Sequence, residues 1–180
     1  MMFVLMFFSQ HESHIIVAPF EEAKDRASVL RSAYTITIVT AAICTLTKAV
    51  GVFWSNSQTL TSAKAAQSAA AMLSKGKIPI LQWVRPTVRY SPDGKQTGVF
   101  TQGLQLFAQR EIEFPPSGLP SETVVQRVLG LVEYLISQGP VIKDGDTVGV
   151  SEREHIHVRF AERGLRPDIP VMVLSLSSTQ

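Results

Sequence analysis

Residues 119–150 constrain the fold of this chain more than any other stretch. They read LPSETVVQRVLGLVEYLISQGPVIKDGDTVGV. Pro120 suits the first helical position, because its missing N–H would have no intrahelical partner, and Gly139-Pro140 ends the helix. Apolar residues at three- and four-residue steps lie on one helix face, which here comprises Val125, Val128, Leu129, Val132, Leu135 and Ile136. The stretch therefore predicts a helix, a stop, an acidic turn and the start of a strand.

Two further helices are predicted before this one. Residues 21–49 contain neither Gly nor Pro, although their centre, residues 34–40, is β-branched and looks like a strand when taken alone. Strands seldom exceed ten residues, so the length favours one long, largely buried helix. Residues 61–75 are rich in alanine and predict a second helix that stops at Gly76.

Short apolar or alternating runs bounded by turn residues predict the strands. Pro86 separates two of them and indicates a bend or a sheet edge. The predicted strands cover residues 1–8, 14–18, 50–54, 80–84, 87–90, 97–101, 111–114, 155–160 and 171–176, with a helical turn at 104–107 and a loop at 115–118. The predicted fold class is α+β, with a mixed, mostly antiparallel sheet and about three helices packed on it. We expect one domain over residues 1–180.

Composition narrows the class of protein. The chain has 180 residues, 45% of them hydrophobic, which is typical of a globular protein with a real core. Its formal net charge is only +2, and it has no run of Lys or Arg, so a nucleic-acid partner is not expected. Cys44 is the single cysteine, which excludes an intramolecular disulfide and favours a reducing setting. Within its apolar run, Cys44 is expected to be a buried small hydrophobe.

The first eight residues, MMFVLMFF, raise the question of targeting. No basic residue precedes this apolar run, as a secretory signal would require. The run is also far shorter than the roughly 20 residues of a membrane span. We therefore expect a buried or edge strand there, and no membrane partner.

Several segments together resemble an uncharacterised bacterial family, known only as domain of unknown function 4261. They are GVFWSN, LQWVR, REIEFP, GPVIKDGDTVG and HIHVRF, and the resemblance runs over about residues 14–176. The resemblance implies a bacterial, cytoplasmic protein and supplies no catalytic residues. Members of the family begin with a further strand-and-helix region, where this chain has only MMFVLMFFSQ. The resemblance therefore implies a short or truncated form.

Two clusters have side chains of the kind that bind metals. Asp144 and Asp146 offer carboxylate oxygens, which Mg²⁺ and Ca²⁺ prefer, but Asp-Gly is a strong turn signal, and bonds to local backbone N–H groups are the favoured interpretation. His155 and His157 lie on one face of a strand and would need a third ligand to hold zinc. No convincing third ligand follows from the spacing, so neither a metal nor a cofactor is predicted.

The ends of two predicted strands form the candidate binding rim. Trp54, Asn56, Trp83 and Arg85 lie there, and Trp and Arg are preferred anchors of protein interfaces. The alternative is that both tryptophans belong to the core, because large aromatic side chains dominate burial.

Two functions remain open. The first is a non-catalytic protein-binding domain, an immunity-like or adaptor-like partner of another bacterial protein such as a toxin or a secretion-system protein. The absence of a nucleophile elbow or a phosphate loop from the sequence favours it. The second is a metal-dependent hydrolase or transferase centred on Asp144, Asp146 and a histidine.

Overall fold

A computed structural model describes residues 13–21, 23–149, 155–166 and 168–176 of the chain. Packing divides the chain into two units, Met1–Trp83 (unit 1) and Val84–Gln180 (unit 2). The single domain expected over residues 1–180 stays a prediction. The strand predicted for residues 1–8 lies outside the described residues.

Among its described residues, unit 1 contains three helices and a two-stranded antiparallel ribbon. In chain order these are α1 (Arg26–Leu46), β1 (Gly51–Trp54), β2 (Thr59–Ser62), α2 (Ala63–Leu73) and α3 (Ile80–Trp83). Helix α2 packs against both α1 and the ribbon. The ribbon pairs Gly51 with Ser62 at its open end and Trp54 with Thr59 next to the turn.

Helix α1 begins at a capping box. The Asp25 carboxylate accepts the backbone N–H of Ser28 at 2.7 Å, while the Ser28 hydroxyl accepts the backbone N–H of Asp25 at 3.0 Å. The backbone N–H of Ser28, followed by the Ser28 hydroxyl, holds the pKa of the Asp25 carboxyl below its ordinary value. The long predicted helix is thus confirmed despite its β-branched centre. The prediction that it is largely buried is wrong, since four of its 21 residues are buried: Ala33, Thr37, Ala41 and Cys44.

Three other predictions for unit 1 need correction. Residues 14–18 form no strand, and Ile15 and Ile16 are exposed, because no described strand pairs with them. Residues 80–83 form the one-turn helix α3 rather than a strand, since the carbonyl of Pro79 accepts the N–H groups of Gln82 and Trp83. The helix predicted over residues 61–75 begins only at Ala63, because Thr61 and Ser62 belong to strand β2.

Helix α2 has a serine cap at its start and stops before Gly76, as the sequence predicts for its end. Ser62 caps its first turn by accepting the N–H of Ala65 at 3.1 Å. Gly76 follows the helix at a φ of 69°, and its N–H donates to the carbonyl of Leu73. The predicted glycine stop is therefore confirmed.

Unit 2 is built around a six-stranded sheet. The strands have the order β3-β4-β5-β8-β7-β6; β5 and β8 are parallel, and all other neighbours are antiparallel. In chain order the elements are β3 (Arg85–Tyr90), β4 (Thr97–Gln102), α4 (Gln105–Ala108), β5 (Glu111–Ser117), α5 (Ser121–Gln138), β6 (Thr147–Val148), β7 (Ile156–Ala161) and β8 (Val171–Leu176). The predicted α+β class, with a mixed and mostly antiparallel sheet, is confirmed. The described residues contain three helices of more than one turn, as expected.

Helix α5 packs through one face on strands β3, β4 and β5. The predicted face is correct at four of its six members, whereas Val125 and Leu129 are only half-buried and Val124 is buried instead. The other buried residues are Val128, Val132, Leu135 and Ile136. Pro120 is the residue that precedes the helix, and Gly139 ends it at a φ of 90°.

Strand β3 is an edge strand of the sheet, as Pro86 indicated. Strand β5 is longer than predicted, since Pro115 to Ser117 continue it and Ser117 pairs with Thr97 of β4. The register shifts at Gly98, where an added Cβ would lie 2.8 Å from the Phe114 carbonyl oxygen. Only glycine fits so close an approach of two backbones.

Candidate functional site

Trp83 lies at the centre of unit 1. Its side chain is 0% exposed, and its Nε1–H donates to the hydroxyl of Thr37 on α1 at 2.9 Å. The Thr37 hydroxyl in turn donates to the carbonyl of Ala33 at 2.7 Å. The ring of Tyr34 packs on the indole, with ring centroids 5.5 Å apart. Trp83 therefore holds α3 against the inner face of α1 and is not accessible as an anchor for a partner.

Trp54 is also part of the core, with 7% of its surface exposed. Both tryptophans thus occupy the positions that the alternative interpretation gives them. Next to Trp54, the ribbon turn exposes Asn56 but buries Ser57, whose hydroxyl donates to the carbonyl of Gln82 at 3.1 Å. Of the predicted rim residues in unit 1, Asn56 alone is on the surface.

Arg85, the fourth predicted rim residue, belongs to unit 2 at the start of β3. Its Nη2 donates to the side-chain oxygen of Gln102, the residue paired with it on β4. Arg85 as a whole residue is half-buried. Arg85 therefore has a cross-strand structural contact, and its role in binding stays a prediction.

The carboxylates of Asp144 and Asp146 both accept hydrogen bonds from backbone N–H groups. The Asp146 carboxylate accepts the N–H of Lys143 at 2.8 Å, as the turn interpretation predicts. The Asp144 carboxylate reaches the N–H of Phe160 on β7 at 2.6 Å and so ties the turn to the sheet. Gly145 supports the same turn at a φ of 84°. These contacts give both carboxylates a structural task.

The two histidines lie at the start of β7, and both are exposed. His157 pairs with Thr147 across the strands, and its Nδ1 lies 3.3 Å from the Thr147 hydroxyl. Within the described ranges, no group of three His, Cys, Asp or Glu side chains is placed to hold a metal ion.

Glu111 is a buried carboxylate that the sequence interpretation missed. It lies at the start of β5, 5% exposed, and its oxygens accept four hydrogen bonds. The donors are the Thr101 hydroxyl at 2.7 Å and the N–H groups of Gly103 (2.7 Å), Leu104 (3.1 Å) and Gln105 (3.1 Å). These N–H groups open α4, where a negative charge is favourable. Glu111 thus fixes the β4–α4–β5 corner.

Cys44 lies on the inner face of α1 and is buried, as predicted. Burial raises the pKa of its thiol, because the thiolate would lose its hydration. A raised pKa leaves little of the reactive thiolate at neutral pH, so Cys44 does not have the character of a nucleophile.

The outer face of α1 exposes apolar side chains. Opposite the buried residues lies an exposed line of uncharged residues, which we call the outer stripe: Thr35, Ile38, Val39, Ala42 and Leu46. Ile38 is 53% exposed and Leu46 is 86% exposed. A surface helix normally turns charged or polar side chains toward water, whereas α1 is apolar on both faces. Exposed apolar surface is more common at interaction sites than elsewhere on soluble proteins.

By length and composition, α1 could also cross a membrane, and it is the one helix of the described residues for which this holds. Only 22% of the most apolar 18-residue stretch of α1 is buried. The inner face of α1, however, already packs against Trp83 and α2. The outer stripe is therefore the part that a further apolar surface would cover.

Charge is distributed unevenly along unit 1. From Arg26 to Trp83 the sequence contains six basic residues and no Asp or Glu. The six are Arg26, Arg31, Lys48, Lys64, Lys75 and Lys77. The small net charge of the whole chain conceals this asymmetry, which a count over each half of the sequence would have revealed.

Comparison with known proteins gives one family. Residues 100–175 match the family model described as Domain of unknown function (DUF4261), which confirms the resemblance over that part of unit 2. The match covers less than half of the chain. No curated protein and no solved structure matches it. The sequence from β4 to β8 is therefore similar to a family whose function its description leaves open.

Proposed function

We propose that this chain is a non-catalytic bacterial protein-binding domain, cytoplasmic and immunity-like or adaptor-like, whose partner is a toxin or a secretion-system protein. The outer stripe of α1 is the binding surface. The observation that carries the proposal is the exposure of Ile38 and Leu46 on a helix whose opposite face is already packed. Covering these side chains by a partner removes apolar surface from water, which is the main driving force of association.

The spacing of the outer stripe supports binding to a protein. Its members lie at positions i, i+3, i+4, i+7 and i+11 of one helix, the pattern by which helices anchor in apolar grooves or on other helices. Because α1 is fixed by its cap and by Trp83, the stripe is presented on a rigid element. A preformed surface loses little conformational entropy on binding.

The contacts of Asp144 and Asp146 weigh against the enzyme alternative. Both carboxylates already accept backbone N–H groups that hold the turn, so metal binding there would compete with the fold. No described contact favours a hydrolase or transferase over a binding domain.

The test begins with capture of the partner from a bacterium that encodes the chain, followed by affinity measurement with the purified partner. Ile38→Asp and Leu46→Asp should each weaken binding by about thirtyfold, or about 2 kcal/mol, as hot-spot residues do. The matched control is Val141→Asp in unit 2, where the side chain is 48% exposed, and it should leave the affinity unchanged.

Unchanged affinity in both stripe variants would contradict the proposal. Metal-dependent turnover that Asp146→Ala abolishes would replace it with the enzyme alternative. Thermal unfolding of each variant checks that the charge introduced at an exposed position has not disrupted the fold.

A further inference from the structure

We infer that the segment bound by the outer stripe is an apolar helix carrying acidic side chains at both of its ends. This inference rests on the proposed function, since it specifies the partner of the same surface. It is carried by a second observation, which is the position of the basic residues relative to the stripe.

The outer stripe has a cation at each end. Arg31 is exposed and lies one turn before Thr35, in line with the stripe. Lys48 is exposed and follows the last residue of α1 by two positions. From Arg31 to the end of α1 at Leu46 the helix rises roughly 22 Å at 1.5 Å per residue. An apolar surface of about three turns is therefore bracketed by positive charge.

The acidic residues of unit 1, which are Glu12, Glu21, Glu22 and Asp25, all precede α1 in the sequence. No acidic residue occurs between Arg26 and Trp83. The acidic group close to Arg31 is Asp25, whose carboxylate is already engaged by Ser28 as the helix cap. A partner that places Asp or Glu opposite both ends of the stripe gains electrostatic attraction as well as burial.

A second copy of the chain does not meet this requirement. If two α1 helices packed antiparallel over their full length, Arg31 of each would approach the end of the other that carries Lys48. A parallel pair would place like residues side by side. Both arrangements bring cations together, which costs free energy at an interface. An acidic, apolar helix of another protein fits the same surface without this repulsion.

The probe for the test is a pair of labelled synthetic peptides of about 18 residues, or about five turns. Both have one Leu/Ala face and the same composition apart from their ends, where one carries Glu and the other Lys. Fluorescence anisotropy with the full chain measures their affinities. We expect the Glu-ended peptide to bind at least about tenfold more tightly, and this preference to shrink between about 50 mM and about 500 mM salt as screening increases.

Variants distinguish the contribution of the two cations to peptide affinity from the contribution of apolar burial. Arg31→Ser with Lys48→Ser should abolish the preference, because the Glu-ended peptide loses attraction while the Lys-ended peptide is freed from repulsion and binds no more weakly than before. Ile38→Asp should weaken the binding of both peptides. The matched control is Lys64→Ser, which removes an exposed cation from α2 and should leave the preference intact. Circular dichroism establishes that every variant is folded.

Equal affinity for the two peptides would overturn the inference, as would binding only to vesicles containing about 30% phosphatidylglycerol, an anionic surface that attracts exposed Lys and Arg. Binding of the natural partner distinguishes failure of this inference from failure of the proposed function. If its binding depends on Ile38 and is insensitive to the double variant of Arg31 and Lys48, the inference fails and the proposed function stands. If its binding is insensitive to Ile38→Asp and Leu46→Asp, the proposed function itself fails.

Discussion

The two long helices, α1 in unit 1 and α5 in unit 2, differ in the kind of side chain that they expose to water. Helix α5 has an apolar face against the sheet, while Glu122, Gln126 and Glu133 face water. Helix α1 has an equally definite buried face, but Ile38 and Leu46 lie on its exposed side. The side chains of α5 thus meet the environments that suit them. The outer side chains of α1 do not, and we attribute that difference to function.

The largest expected effect tests this contrast directly. Leu135→Ala removes a fully buried side chain of α5 and should lower the free energy of unfolding by about 2–5 kcal/mol. Ile38→Ala on the outer stripe should change it by less than about 0.5 kcal/mol, because Ile38 is already 53% exposed and Ala favours the helix. Urea unfolding followed by circular dichroism measures both. Similar losses in the two variants would mean that the outer stripe is packed, which would remove the basis of the proposed function.

The sequence could predict α5 because its aliphatic residues cluster on one face. Helix α1 gave no such information, since a run that is apolar all round predicts burial on every side. What covers each side depends on residues distant in the chain, such as Trp83, which bonds to Thr37 from 46 positions away. Helix α3 was predicted as a strand for a related reason. Its apolar run is too short to show a period, and only the contacts of Pro79 reveal a helical turn.

The candidate site was predictable in part. The turn role of Asp146 followed from the Asp-Gly sequence, whereas the bond from Phe160 to Asp144 depends on how β7 pairs in the sheet. Glu111 was missed because an alternating EIEF run predicts that glutamates face water. Its burial depends on a corner that supplies four donors from neighbouring elements. Tertiary contacts of this kind cannot be inferred from the local pattern.

The second prediction concerns that corner of unit 2. Glu111→Gln keeps the shape but replaces one accepting oxygen with a donating NH₂ group, which faces backbone N–H groups. The free energy of unfolding should fall by about 1.5–3 kcal/mol, the range for hydrogen bonds to a charged group. Glu133→Gln, at an exposed position of α5, is the matched control and should be neutral. If both substitutions were neutral, the Glu111 contacts would not stabilise the corner.

The third prediction compares the two faces of α1. Thr37→Val keeps the shape of a buried side chain but removes the oxygen that accepts the Trp83 indole N–H. The expected loss of stability is about 1–3 kcal/mol, the desolvation penalty of a buried donor deprived of its acceptor. Thr35→Val makes the same chemical change on the outer stripe and should leave stability within about 0.5 kcal/mol. Equal effects would show that the two faces are not distinct.

The smallest effect is a difference in thiol reactivity between the same two faces. Burial raises the pKa of Cys44, so the native protein should react slowly with a disulfide reagent at neutral pH. In a Cys44→Ala background, Ala42→Cys places a thiol on the exposed outer stripe, where it should react at nearly the rate of the unfolded chain. If the two native proteins react at one rate, α1 detaches from its packed face too readily to present a rigid surface.

The pH dependence of stability completes the Cys44 prediction. The raised pKa means that the fold favours the neutral thiol, while the unfolded chain keeps the ordinary thiol pKa of about 8.5. Stability from this source is therefore complete below about pH 8.5 and is lost as the pH rises through the folded-state pKa. Unfolding curves at rising pH should show a decline for the natural chain that Cys44→Ala lacks. Parallel curves would mean that the thiol ionises equally well in both states, and the buried face of α1 would then be open to water like its outer stripe.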